Sequence, residues 1–157
     1  MHKVKKRRGI MEIRMATEME TLEILSHWQT VMSEATVGYL DRKKESELTP
    51  LAPFFYNNFD YLVFLEKGTV QGWIGVGEIR DAYMEGSKGF ISELYVLPAF
   101  RNQGVGRKLC QEAIKKFNKE NYRSVQLNVF KGNEAKCLYE NLGFSEVSCL
   151  LELSLET

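Results

Sequence analysis

The chain has 157 residues, 44% of them hydrophobic and 27% charged, and its 21 basic and 21 acidic side chains balance to zero net charge. That is the size of one domain with a sizeable core, and a balanced charge does not favour bulk nucleic acid as a partner. No apolar run approaches the roughly 20 residues that cross a bilayer, so no membrane partner is expected. The three cysteines (Cys110, Cys137, Cys149) lack C-x-x-C spacing, and the only histidines are His2 and His27. No zinc or other metal site is expected, and the thiols read as the reduced cysteines of a cytoplasmic protein.

Lys3, Lys5, Lys6, Arg7 and Arg8 make the N-terminus basic, but Glu12, Arg14, Glu18 and Glu20 follow where a signal peptide would turn apolar. Residues 1–10 are expected to be a disordered basic tail, open to contact with an anionic surface, ahead of a single domain over residues 11–157. Foldable sequence begins at Met11, which is a candidate natural start.

Met11–Met15 suits a short strand. Residues 16–37 carry apolar side chains near one helical face at Leu22, Leu25, Trp28, Val31 and Met32. Thr17, with Glu20 three positions on, forms a capping-box pattern. The polar stretch 41–49 is punctuated by Pro50 and Pro53, with an aromatic cluster at Phe54, Phe55, Tyr56 and Phe59. Residues 61–66 and 69–79 read as a hairpin, with Gly72, Gly75 and Gly77 marking a bulge or a close backbone approach. Residues 89–97 form the next strand, closed by Pro98. Residues 104–118 form the clearest helix, with Val105, Leu109, Ala113 and Phe117 recurring every four positions and lysines late in it. Residues 124–130 alternate as a strand. Asn133 opens a short helix with a stripe of Ala135, Leu138, Tyr139 and Leu142, and Gly143 stops it. Residues 144–155 suggest a last strand or two. The order predicts a mixed sheet with helices on its faces.

Chemistry concentrates where the strand ending at Val96 runs through Pro98 and Arg101-Asn102-Gln103 into a helix opening on Gly104-Val105-Gly106. The first turn of a helix has unpaired N–H groups and a positive dipole end. Glycines there let the backbone close on a phosphate. Arg101 can add positive charge or hold the loop. Leu109 stands where a dinucleotide fingerprint needs its third glycine, and no Walker loop is present.

Val96-x-Pro98-x-x-Arg101-x-x-Gly104-x-Gly106, followed by a strand, then Asn133 and Tyr139, then Leu142-Gly143-Phe144, resembles the acetyl-CoA signature of the GNAT acetyltransferase superfamily. The resemblance is specific over residues 90–147 and only topological over residues 11–79. It implies an α/β (α+β) fold: a mixed, mostly antiparallel sheet of about six to seven strands, splayed in the middle and flanked by about four helices. It implies acetyl-CoA as co-substrate, with Leu94, Tyr95 and Val96 along the pantetheine arm. The N–H groups of Gln103, Gly104, Val105 and Gly106 would hold the pyrophosphate, Asn133 would hydrogen-bond the arm, and Arg101, Asn102, Arg107 and Asn128 would also bind the cofactor. Asn133 serves equally as a plain cap.

The resemblance makes Tyr139 the candidate acid for the departing thiolate, unless it only fills the apolar stripe. Glu93, a carboxylate among Ile91, Leu94, Tyr95 and Val96, is the candidate base. Its alternatives are a surface ion pair, with a water chain doing the deprotonation. Direct transfer needs no nucleophilic cysteine. The acceptor is expected to be a small-molecule amine, with a protein or peptide amine, another acyl group, or a non-catalytic acyl-CoA sensor as alternatives. Trp28, Phe54, Phe55, Tyr56, Trp73 and Tyr83 are available to line its pocket, and Glu78, Asp81 and Glu85 to attract a cation. A homodimer is a family-level expectation.

Overall fold

The structure is a computed structural model that describes residues 9–42, 59–81 and 83–155. The basic tail through Arg8 and the aromatic trio Phe54, Phe55 and Tyr56 lie outside the described residues.

Among the described residues five strands form one sheet in sequence order. They are β1 (Met11–Met15), β2 (Phe59–Glu66), β3 (Thr69–Arg80), β4 (Ser87–Val96) and β5 (Val125–Leu127). The first four pair antiparallel, and β5 joins β4 in parallel. Among the described residues four helices accompany them: α1 (Glu18–Ser26), α2 (Trp28–Ala35), α3 (Val105–Lys119) and α4 (Ala135–Asn141).

The capping box forms as expected. The Glu20 N–H donates to Thr17 Oγ1, and the Thr17 N–H donates to the Glu20 carboxylate. Arg14 grips that carboxylate from β1 at 2.8 Å, so the start of α1 is fixed to the sheet.

Residues 16–37, expected to be helical, form two helices. The chain turns at His27, whose ring lies 5.5 Å from that of Trp73. The turn lets both Ile24 and Val31 reach one sheet face, where they pack with Tyr61, Val63, Leu65, Trp73 and Tyr95. Strand alternation sends Leu62, Phe64, Ile74, Val76 and Ile91 to the other face, against Val105, Leu109, Ala113 and Phe117 of α3 and Tyr139 of α4. Gly89 permits that packing, because a Cβ there would lie 2.6 Å from the Phe117 ring.

Two expectations need correction. The strand over 124–130 is only Val125–Leu127, and residues 144–155 form no strand, so the described sheet has five strands rather than six or seven. β5 offers only three residues, no strand pairs with its outer edge among the described residues, and Val147, Leu150, Leu151, Leu153 and Leu155 stay exposed.

Candidate active site

The sheet splits between β4 and β5. Their pairing runs from Gly89–Val125 to Ile91–Leu127 and stops. Beyond it, among the described residues, β4 continues alone on that side to Val96, and Asn128 lies exposed at the end of β5. The Leu97 N–H bonds Gln71 O of β3 at 2.9 Å. Alternation therefore turns the N–H and C=O groups of Leu94 and Val96 away from β3, toward the open side. This edge has the hydrogen-bonding pattern of a strand without a neighbour.

A bulge in β4 places Glu93. Gly75 pairs with Glu93 and Val76 with Ile91, so Ser92 is the extra residue. The bulge reverses the alternation, leaving Ile91 and Leu94 in one core and Glu93 on the opposite face with Tyr95. Gly75 makes the room. A Cβ there would lie 2.1 Å from Ser92 Oγ, 3.3 Å from the Tyr61 ring and 3.4 Å from Glu93 Cγ. Trp73 Nε1 donates to Glu93 Oε1 at 2.9 Å, and Tyr61 also hydrogen-bonds the carboxylate. Burial raises the Glu93 pKa above the ordinary value, and the Trp73 and Tyr61 bonds pull it partly back. Among the described residues Glu93 has no cation partner, so it is not the surface ion pair of the alternative reading.

Beyond Val96 a short 3-10 turn, Pro98–Phe100, leads to the mouth of α3. Gly104 sits at φ +83°, and no side chain caps the helix. No acid stands in the first turn to offset the dipole. A Cβ at Gly104 would meet nothing within 4 Å, and one at Gly106 only ordinary contacts. Tight packing therefore does not account for these glycines; a left-handed turn and an open approach do. The Gly106 position lies 3.5 Å from Leu138, 3.6 Å from Leu94 and 3.7 Å from Val96, so the first turn of α3, the open edge and α4 converge. The residues present fit an extended ligand that pairs with a strand at one end and carries phosphate at the other.

Arg101 holds the loop. Its Nε donates to Val96 O at 2.9 Å, its Nη2 meets Glu34 at 2.7 Å, and its guanidinium stands 5.3 Å from the Tyr95 ring centre. Asn102, at φ +59°, and Gln103 are exposed in the turn, as is Arg107 in α3. Asn133 accepts the Ala135 N–H at 2.9 Å, capping α4, and donates one amide hydrogen to Ala35 O at 3.0 Å.

Tyr139 is 8% exposed, on the α3 side of the sheet with its ring edge-on to Phe144. Its hydroxyl makes no hydrogen bond to a described residue, yet it is not sealed from solvent. Burial raises its pKa well above 10, which keeps the phenol protonated at neutral pH. Burial likewise pushes the Cys110 thiol up to about 12, so it is no thiolate nucleophile. Tyr139 and Glu93 thus flank β4 from opposite faces.

Of the candidate pocket residues, Trp73 is core and Tyr83 is 94% exposed on the β3–β4 hairpin. Glu78 accepts from Tyr122, and Asp81 pairs with Lys88 at 3.0 Å. Sequence reasoning missed Glu34, His27 and Tyr61. Each stands in an ordinary helix or strand pattern, and only its partner marks it.

The sequence profile described as the acetyltransferase (GNAT) family matches residues 22–144. No relative is matched among curated proteins. Among solved structures, a mutant of the BH1408 protein from Bacillus halodurans is 22% identical, with a TM-score of 0.74 over 92% of this chain and 99% of that one. The aminoglycoside N-acetyltransferase AAC(6')-Iy, solved with CoA, is 16% identical, with a TM-score of 0.67 over 98% of this chain and 100% of that one. A predicted acetyltransferase from Clostridium acetobutylicum, solved with acetyl-CoA, is 18% identical, with a TM-score of 0.68 over 93% and 97%. At these identities the likeness is one of fold.

Proposed function

The chain belongs to the GNAT acetyltransferase family, and on that premise we propose that it moves an acetyl group from acetyl-CoA to a primary amine by direct transfer in a ternary complex. The acceptor is a small-molecule amine. The observation that carries the reading is the open edge of β4 at Leu94 and Val96 leading straight into the uncapped, glycine-opened mouth of α3. The aminoglycoside acetyltransferase and the acetyl-CoA complex among the structural neighbours support both substrates.

In this reading the backbone of Leu94, Tyr95 and Val96 forms the wall along which the pantetheine arm lies. The N–H groups from Gln103 to Arg107, with Asn102 and Gly104 shaping the turn, bind the pyrophosphate. Asn128 and the remaining amide hydrogen of Asn133 line the far lip. Arg101 braces the near one. The Val96 N–H, whose own carbonyl is held by Arg101, is placed to hydrogen-bond the thioester oxygen as charge develops there.

An alkylamine with a pKa of about 10.4 arrives protonated and must lose a proton before it attacks. Glu93 takes it, directly or through water, and its raised pKa makes it a better base near neutral pH than an ordinary carboxylate. Tyr139, protonated and with a hydroxyl unpaired among the described residues, gives a proton to the departing thiolate from the other face. The three cysteines are unpaired, which suits action in the cytoplasm.

The test is CoA release, followed with a thiol reagent, using acetyl-CoA and a panel of polyamines, aminoglycosides, amino acids and short peptides. Release stimulated by a small amine is expected. Stimulation by peptides alone would overturn the small-molecule assignment, and binding of acetyl-CoA with no stimulated release would overturn transfer to these acceptors.

A further inference from the structure

The C-terminal turn of α2 spans the split in the sheet. On one side, Glu34 takes Arg101 Nη2 at 2.7 Å while Arg101 Nε holds Val96 O at 2.9 Å, so Glu34 is linked through one guanidinium to the open edge of β4. Tyr95 strengthens the link: its hydroxyl reaches Glu34 at 3.3 Å and its ring lies under the guanidinium. On the other side, the next residue, Ala35, gives its carbonyl to Asn133 Nδ2 at 3.0 Å, and Asn133 caps α4 beyond β5. Two adjacent residues of one helix thus hold the two lips of the same cleft, although 67 and 98 positions separate the partners in sequence.

Thr36 locks that end of the helix. It is 2% exposed, and its Oγ1 donates to Met32 O at 2.8 Å. The strap is therefore anchored in its own helix before it reaches either lip. The first turn of α3 carries no acid, so Glu34, across the loop, is the carboxylate that meets Arg101.

We propose that Glu34 is a positioning residue for the acyl donor: through Arg101 on one lip, and with the Ala35–Asn133 bond on the other, it sets the width of the cleft and the aim of the Val96 backbone. The inference rests on the acetyl-CoA reading above. It assigns Arg101 to the wall of the site rather than to the phosphate, and this fixes the sign of the experiment. If Glu34 braces Arg101, removing the carboxylate loosens the loop and weakens donor binding. If Glu34 merely holds Arg101 away from a phosphate it would otherwise contact, removing it frees a cation and tightens binding.

The test is CoA binding by calorimetry, with steady-state kinetics, on the wild-type chain and on the variants Glu34→Ala, Glu34→Gln, Arg101→Ala and the Glu34→Ala/Arg101→Ala double variant. Both partners are about half exposed, so Glu34→Ala is expected to weaken CoA binding about fivefold. The KM for acetyl-CoA should rise in parallel, and kcat should fall by about twofold to tenfold as the Val96 N–H loses its aim at the developing charge. Glu34→Gln, which keeps one acceptor oxygen for Arg101, should lie between. The double variant should be no weaker than the worse single one, because both remove the same brace. Binding that Glu34→Ala leaves unchanged or tightens, or single effects that multiply in the double variant, would overturn the inference alone. A wild-type chain that binds no CoA would overturn the acetyl-CoA reading and this inference with it.

Discussion

Tyr139→Phe isolates one hydroxyl. The ring is 8% exposed and packs among Leu109, Cys110 and Phe144, while the oxygen has no hydrogen-bond partner among the described residues. Phenylalanine keeps the packing and loses no intramolecular hydrogen bond, so folding stability should move by less than about 0.5 kcal/mol. If the hydroxyl protonates the leaving thiolate, turnover should fall about tenfold or more, a barrier increase of about 1.4 kcal/mol per factor of ten. Tyr139→Ala is the contrasting case. It removes a buried ring and should cost about 3–5 kcal/mol of stability. CoA release at saturating acetyl-CoA and acceptor, beside thermal melts of both variants, separates hydroxyl from ring. Burial raises the phenol pKa above 10, so the wild-type rate should show no alkaline fall from Tyr139 between pH 7 and 9. A Tyr139→Phe enzyme with an unaltered kcat would refute the acid role and leave Tyr139 as core alone.

Glu93→Gln should lower the rate at pH 7 by about 10²-fold or more and abolish the acidic limb of the kcat/KM profile. Stability should move the other way. The folded carboxyl holds its proton more tightly than the unfolded one, so its contribution is full below the unfolded pKa near 4.5 and is lost as pH rises through the folded value. A melt series should therefore show Glu93→Gln losing less stability than wild type over that rise. Gly75→Ala drives a methyl to 2.1 Å from Ser92 Oγ, and should cost about 1–3 kcal/mol and displace Glu93. Adding Ser92→Ala, which removes the struck atom, should recover part of the loss in both melting temperature and rate. Gly104→Ala has space for its methyl but not the backbone freedom for φ +83°, so about 1 kcal/mol of stability and some CoA affinity should go together.

Strong local signals carried the parts of the fold that the sequence made legible. The capping box at Thr17 and Glu20, the β2–β3 hairpin, the every-four stripe of α3 and the Gly143 stop each depend on residues close in the chain, and each is where the pattern puts it. Helix periodicity could not show that the helix breaks at His27, because the apolar stripe runs on through the break and the Trp73 ring beside His27 belongs to a distant strand. Residues 144–155 alternate well enough for a strand, but a strand also needs an edge, and β5 ends at Leu127. The site follows the same rule. Gly104 and Gly106 were readable because a helix mouth is local. The unusual carboxylate at Glu93 was visible, but its partners Trp73 and Tyr61 lie on other strands. Glu34 was invisible because its role is defined wholly by Arg101, which follows a different element.

Several groups that call for a partner converge at the split in the sheet. The buried Gln71 donates to Glu66, and no fully buried side-chain nitrogen or oxygen among the described residues lacks a partner. Around the split in the sheet, by contrast, stand a half-strand of turned-out backbone, an uncapped helix with no acid to offset its dipole, and two side chains without the partners their burial calls for among the described residues: the Glu93 carboxylate, which has no cation, and the Tyr139 hydroxyl, which has no hydrogen bond. Each of these costs stability on its own, and a fold selected for stability alone would cap, pair or protonate them. Their convergence between Leu94 and Tyr139 is better explained by a ligand that supplies a strand edge, an anion and a reaction. That explanation also accounts for the strap at Glu34 and Ala35. A cleft lined with unpaired groups tends to close on itself, and holding it at a fixed width requires an element outside the sheet that grips both lips.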